Sequence, residues 1–109
     1  MKRGDLYMVD FSGSGEGEPS GYHPAVIVSS DAINDSRISA VILMPVSSTR
    51  RPRSVLIASG IAGLETESWA NPAHLVTVNR DRFRHSFRGS LPPQTISEID
   101  AALGGALGL

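Results

Sequence analysis

The feature that most constrains this chain is a proline leading directly into a short apolar run, Pro24 followed by Ala25, Val26, Ile27 and Val28. A proline has no backbone N–H to give to a sheet ladder, so it belongs at the first position of a strand or on an edge. The run behind it is mostly β-branched, the composition of a buried strand. Ser29, Ser30 and Asp31 then end it with side chains that bond nearby backbone and favour turns. The stretch predicts one central strand over residues 23–29, with His23 at its mouth and a short turn or helix over 31–35 leading away.

The flanking segments supply strands to pack around it. Residues 6–11 read as a first strand, and 12–20 as a polar loop with Gly and Pro but no apolar residue. Residues 38–44 form a third strand expected to stop at Pro45, and 54–58 a fourth, reached through the polar turn 47–52. Residues 60–63 are a turn. Residues 68–70 and 74–78 make one bent strand or two short ones broken at Pro72, and 84–90 a last short strand. After Pro92 and Pro93 the period changes. Ile96, Ile99, Leu103, Ala106 and Leu107 recur at helical spacing, with Gly104 and Gly105 weakening the helix end. Short strands without intervening helices imply an antiparallel sheet, and one helix to cover it gives a mainly β, strongly curved barrel of SH3-like size.

At 109 residues, with no repeats, the chain is expected to form a single domain, 1–109. It has no cysteine, which excludes disulfides and Cys-based metal sites or nucleophiles. No stretch is apolar and long enough for a signal peptide or a membrane span, so a cytoplasmic protein without a membrane partner is expected. The net charge of −1 is unevenly spread: residues 50–88 carry seven arginines against Glu65, Glu67 and Asp81. Such a patch attracts phosphate even on a nearly neutral molecule.

Three blocks carry a resemblance. Residues 3–11 (RGDLYMVDF), residues 21–29 (GYHPAVIVS) with Asn34 soon after, and residues 41–49 (VILMPVSST) lie in order along the chain, and the helix ending Ala101-Ala102-Leu103 follows them. Together they resemble the MazF/PemK (Kid) family of toxin endoribonucleases from bacterial toxin–antitoxin pairs. The resemblance implies a homodimer of SH3-like barrels that cuts single-stranded RNA without metal or other cofactor, leaving a 2′,3′-cyclic phosphate. It also implies silencing by the extended C-terminal segment of a MazE-like antitoxin. The family pairs an arginine, just before the second-strand proline, with a threonine or serine two residues past the loop proline. Here those positions hold His23 and Ser47, so the second fits and the first departs. Relatives often show an Asp-Gln pair in a later strand where this chain has Ala73-His74.

RNA cleavage through its own 2′-OH needs a proton acceptor, a stabiliser for the charged phosphorane and a proton donor for the leaving 5′-oxygen. Histidine serves as acid or base, and as a cation only while protonated. The expected catalytic residues are therefore His23 and Ser47. Ser48, Thr49, Arg50 and Arg51, a hydroxyl cluster running into two guanidiniums, are expected to hold RNA phosphates. His74, Arg80 and Arg82 are weaker candidates for the same role, the last two in a run (80–84) that reads equally well as a solvated edge strand. Trp69 reads as core or dimer interface. The dimer is expected to use the third strand, apolar from Ala40 to Met44, and the C-terminal helix. The alternative is a non-catalytic protein on the same fold: a gyrase poison of the CcdB type, a paralogue that only binds antitoxin or RNA, or a plain dimerisation module.

Overall fold

The structure is a computed structural model that describes residues 1–11, 21–83 and 86–109. The expected loop 12–20, and Arg84 and His85 of the last strand, lie outside the described residues. Seven strands are described: β1 (Asp5–Asp10), β2 (Tyr22–Ile27), β3 (Ala40–Ser47), β4 (Val55–Ile57), β5 (Ser68–Ala70), β6 (Val76–Asn79) and β7 (Phe87–Ser90). A single-turn helix α1 (Asp31–Asn34) follows β2, and α2 (Pro93–Leu107) ends the chain. Every pairing is antiparallel, in the order β4-β5-β3-β2-β1-β7 with β6 also on β3. The sheet curls into a half-barrel under α2, nearly equal in its three dimensions at 31 × 28 × 27 Å. This is the expected mainly β, curved architecture with a C-terminal helix.

Alternation along the strands builds a core on each face of the sheet. Leu6, Val26, Met44, Val46, Val55, Ile57 and Ala70 point one way and pack with Leu91 and with Ile99 of α2. Val9, Phe11, Ala25, Ile27, Val41, Leu43 and Val78 point the other way and pack with Phe83. The apolar run in β3 is thus accounted for within one chain: Leu43 and Met44 are both 0 % exposed, on opposite faces. Val41, Leu43 and Met44 of that run are thus buried without a partner, while Ala40 and Ile42 are half-buried.

One sequence boundary shifts: β3 does not stop at Pro45 but passes through it to Ser47. The helix runs as its spacing expects, through Gly104-Gly105 to Leu107, and ends on Gly108, whose left-handed φ of 74° lets its N–H return to the Gly104 carbonyl. At the other end of the molecule Gly4 (φ 92°) is crossed by α2, and a Cβ there would lie 2.5 Å from Cδ1 of Ile96. Arg3 joins the same corner, donating from Nε to the Val28 carbonyl (3.0 Å) and pairing with Asp100 of α2 (2.7 Å).

The exit from β2 is closed by a buried polar lock. The Ser29 hydroxyl donates to Asn34 Oδ1 (2.6 Å), Asn34 Nδ2 donates to the Ser29 carbonyl (3.0 Å), and the Ile42 N–H of β3 donates to Ser29 Oγ (3.2 Å). Replacing Asn34 by alanine strands the Ser29 groups in a site without water access. Asn34→Ala should lose about 1–3 kcal/mol, seen as a lower urea midpoint at unchanged slope. Nearby, the Arg3 N–H (2.7 Å) and then Asn34 hold the Asp31 carboxyl below the usual carboxylate range. Because the folded pKa is the lower one, this stabilisation is present at neutral pH and fades as acid protonates Asp31. Asp31→Asn should therefore narrow the gap in melting temperature between pH ~6 and ~3; an unchanged gap would assign the acid response elsewhere.

Candidate functional site

Two prolines make β2 and β3 part company. The last pairs between them are Val26 with Met44 and Ala25 with Pro45. In an antiparallel ladder the N–H and C=O of one residue face the same neighbour, alternating along the strand. Met8, opposite Pro24 on β1, sends its N–H away from β2 to the Ser86 carbonyl (3.1 Å). Pro24 therefore turns its nitrogen toward β3, where it has no hydrogen to give. Pro45 turns its polar edge the other way, its carbonyl accepting from Asn71 N–H (3.1 Å). Beyond this point β2 stays with β1, Val9 opposite His23, while β3 goes with β5, Ser47 opposite Trp69.

Counting outward from the Ala25–Pro45 pair, His23 and Ser47 occupy opposing positions just past the parting. By alternation both lie on the face that carries Ala25, Ile27, Leu43 and Val41. Both are half-buried, and the His23 ring stands 6.3 Å from that of Phe11 in the core of the same face. The Ser47 hydroxyl is held by its own loop, accepting from the Thr49 N–H and donating to the Thr49 carbonyl, at 3.3 Å each. Ser48, Thr49, Arg50 and Arg51 follow, all exposed. Arg51 closes a turn with Ser54, and Arg53, at a left-handed φ of 64°, anchors the loop to α2 by donating from Nη1 to the Gly105 carbonyl (2.8 Å). His74 ends a 3₁₀ turn (Pro72–His74) that packs against β3 beside the Pro45 bend. An imidazole, hydroxyls and two guanidiniums thus gather at one end of β3, an arrangement suited to holding and polarising a phosphate.

Arg80 and Arg82 lie elsewhere. They sit on a 3₁₀ turn (Arg80–Phe83) directly after Asn79, which pairs with Ala40 at the far end of β3, seven residues or about 23 Å of extended chain from Ser47. Arg80 is also committed to main chain: it donates to the carbonyls of Ile33 (3.0 Å), Asn34 (2.7 Å) and Ile38 (2.9 Å). That guanidinium fastens the end of α1 to the start of β3. Residues Arg80–Phe83 are accordingly a turn and not an edge strand, and Phe83 is buried. Trp69 departs from one half of its expectation, the core. It alternates with buried Ser68 and Ala70 and so faces outward, with the Arg50 guanidinium 5.1 Å above its ring. The Ser-Trp-Ala pattern itself carried that signal, since a small residue on each side fits the crowded face and leaves the large one on the other.

Comparison with known proteins decides the family. Residues 2–107 match the family model of the PemK-like, MazF-like toxins of type II toxin–antitoxin systems. The chain belongs to this family. It is 25 % identical to the endoribonuclease MazF2 of Mycobacterium bovis and to the endoribonuclease MazF6 of Mycobacterium tuberculosis, across all of this chain and 98 % of each relative. A mycobacterial endoribonuclease solved with its cognate antitoxin superimposes with a TM-score of 0.80 at 25 % identity, covering all of this chain and 94 % of that one. MazF from Deinococcus radiodurans, at 22 % identity, shares the fold with a TM-score of 0.86 over all of this chain and 97 % of its own. Among the described residues no three His, Asp or Glu side chains cluster as metal ligands, and no helix is long and apolar enough to cross a membrane.

The two arginine groups should separate experimentally. Arg80→Ala should lower stability by about 2 kcal/mol or more, the scale of hydrogen bonds from a charged group, whereas Arg50→Ala should leave the melting temperature nearly unchanged. Equal melting temperatures for the two variants would contradict the structural assignment of Arg80.

Proposed function

We propose that the chain, acting as one toxin domain, is an endoribonuclease that cuts single-stranded RNA at a phosphate held between His23 and Ser47. The observation that carries this reading is their opposing register on one face, beside the loop of Ser48, Thr49, Arg50 and Arg51. In the reaction the 2′-oxygen attacks the adjacent phosphorus as it gives its proton to solvent water, the bond to the 5′-oxygen breaks, and that oxygen takes a proton from solvent water. The products are a 2′,3′-cyclic phosphate and a 5′-hydroxyl. Ser47 donates a hydrogen bond to a phosphate oxygen, and protonated His23 balances the charge that builds on the phosphorane. Arg50 and Arg51 add fixed charge, and His74 borders the groove from the Pro45 bend. RNA as substrate and the cytoplasm as the place of action belong to the same proposal.

The partners are proposals of the same kind. A MazE-like antitoxin would cover this face with an extended segment of its C-terminal region; a mycobacterial endoribonuclease of the same fold is in complex with its cognate antitoxin. A second copy of the chain would dock at the end of α2, where an open groove of about 620 Å³ is lined by Pro52, Pro72, Leu75 and Leu107. Sedimentation at micromolar concentration should then give twice 11.6 kDa; a clean monomer would remove the dimer.

The test of the activity is cleavage of one long RNA in EDTA. It should persist in the chelator; His23→Arg, which keeps a cation at the position, should cut at least as fast as the parent, and His23→Ala should lose on the order of 10²-fold. Alanine cutting as fast as the parent would take His23 out of the site. The histidine in place of the family's arginine favours one second reading, a disarmed toxin: an inactive parent that becomes active only as His23→Arg would establish it.

A further inference from the structure

We infer that Trp69 is a base-stacking platform for the nucleotide beside the scissile phosphate, and that Arg50 is its movable cover. The inference rests on the RNA-cleaving reading above. Trp69 is the cross-strand partner of Ser47, and Leu56 of β4 is in turn the partner of Trp69. Directly opposed residues of an antiparallel pair stand on the same face, about 5 Å apart at Cβ. Ser47, Trp69 and Leu56 therefore form a stripe that starts at the proposed phosphate and runs away from it. Leu56 is 40 % exposed, and Trp69 is half-buried rather than sunk in either core.

A tryptophan held this way is flanked by a strand on each side, and an exposed arginine lies over its ring. The guanidinium at 5.1 Å from the ring centroid is a cation–π contact. Every nucleobase has a π face, so a base can take the place of the guanidinium on the ring. The exchange trades one ring contact for another, and it frees Arg50 to meet a backbone phosphate, where its charge gains most. Stacking tolerates any base but favours the larger surface, so a purine should be preferred at this one position.

Trp69 is the only tryptophan in the chain, so intrinsic fluorescence reports on it alone. The probe is a 5′-labelled, 2′-O-methyl single strand of about eight nucleotides, within the usual single-strand site sizes, that lacks the attacking hydroxyl. Anisotropy of the label measures binding, and tryptophan emission measures stacking. Binding should quench the emission, and an abasic residue at one position should restore it. Trp69→Phe should bind near the parent level, while Trp69→Ala and Trp69→Leu should lose on the order of 10- to 100-fold with an unchanged salt slope. Arg50→Ala should instead reduce the salt slope by about one. Salt-dependent binding without quenching, equal in Trp69→Ala, would overturn the platform and leave the RNA reading standing. So would a Trp69→Ala protein that binds RNA normally but changes its oligomeric state. A parent whose label shows no binding at low salt would overturn both.

Discussion

Everything at the proposed functional end of this molecule depends on a hydrogen that is missing. Pro24 faces β3 without an N–H, so the ladder between β2 and β3 cannot extend past the Ala25–Pro45 pair. Two strands that share a core up to that pair then separate, each taken over by its other neighbour. Pro45 turns toward the gap between β6 and β5, where its own missing donor falls on the change of partner and its carbonyl is claimed by Asn71. The parting exposes the next opposed positions, His23 and Ser47, on a floor of buried aliphatic side chains. A continuous ladder would have bridged the backbone between them and left no room for a substrate phosphate.

The same arrangement divides labour along β3. Its first half is clamped between β2 and β6, and the Arg80 guanidinium draws that end to α1 through three main-chain carbonyls. Its last two residues lean on β5, and the loop beyond carries exposed hydroxyls and guanidiniums. Rigidity at one end thus supports the proposed site at the other. The loop is itself pinned at Arg53 to the last turn of α2, so Arg50 and Arg51 project from a fixed turn rather than from a tether.

Much of this was legible in the chain because local rules and tertiary needs agree there. The β-branched run behind Pro24, the polar stop at Ser29–Asp31 and the helical spacing after Pro93 each say the same thing at every level. Pro45 was misread because a proline in a strand signals an end only when one partner is present on both sides; here the partners change at that residue. Arg80 was unreadable for a similar reason. Its carbonyl partners lie more than forty residues away in sequence, and nothing in an arginine-rich run tells a staple from a phosphate ligand. The candidate site separates along the same line: Ser47 to Arg51 are contiguous and were found together, whereas Trp69 joins them only through strand pairing.

The central claim is that His23 and Ser47 act together on one phosphate, and a double-mutant cycle addresses it most directly. His23→Ala, Ser47→Ala and the double variant would be compared in single-turnover cleavage of one RNA under EDTA. Groups that act as a unit are strongly non-additive. The account predicts a double variant no slower, within a few-fold, than the slower of the two single ones. Losses that multiply would show two independent sites, and would contradict it.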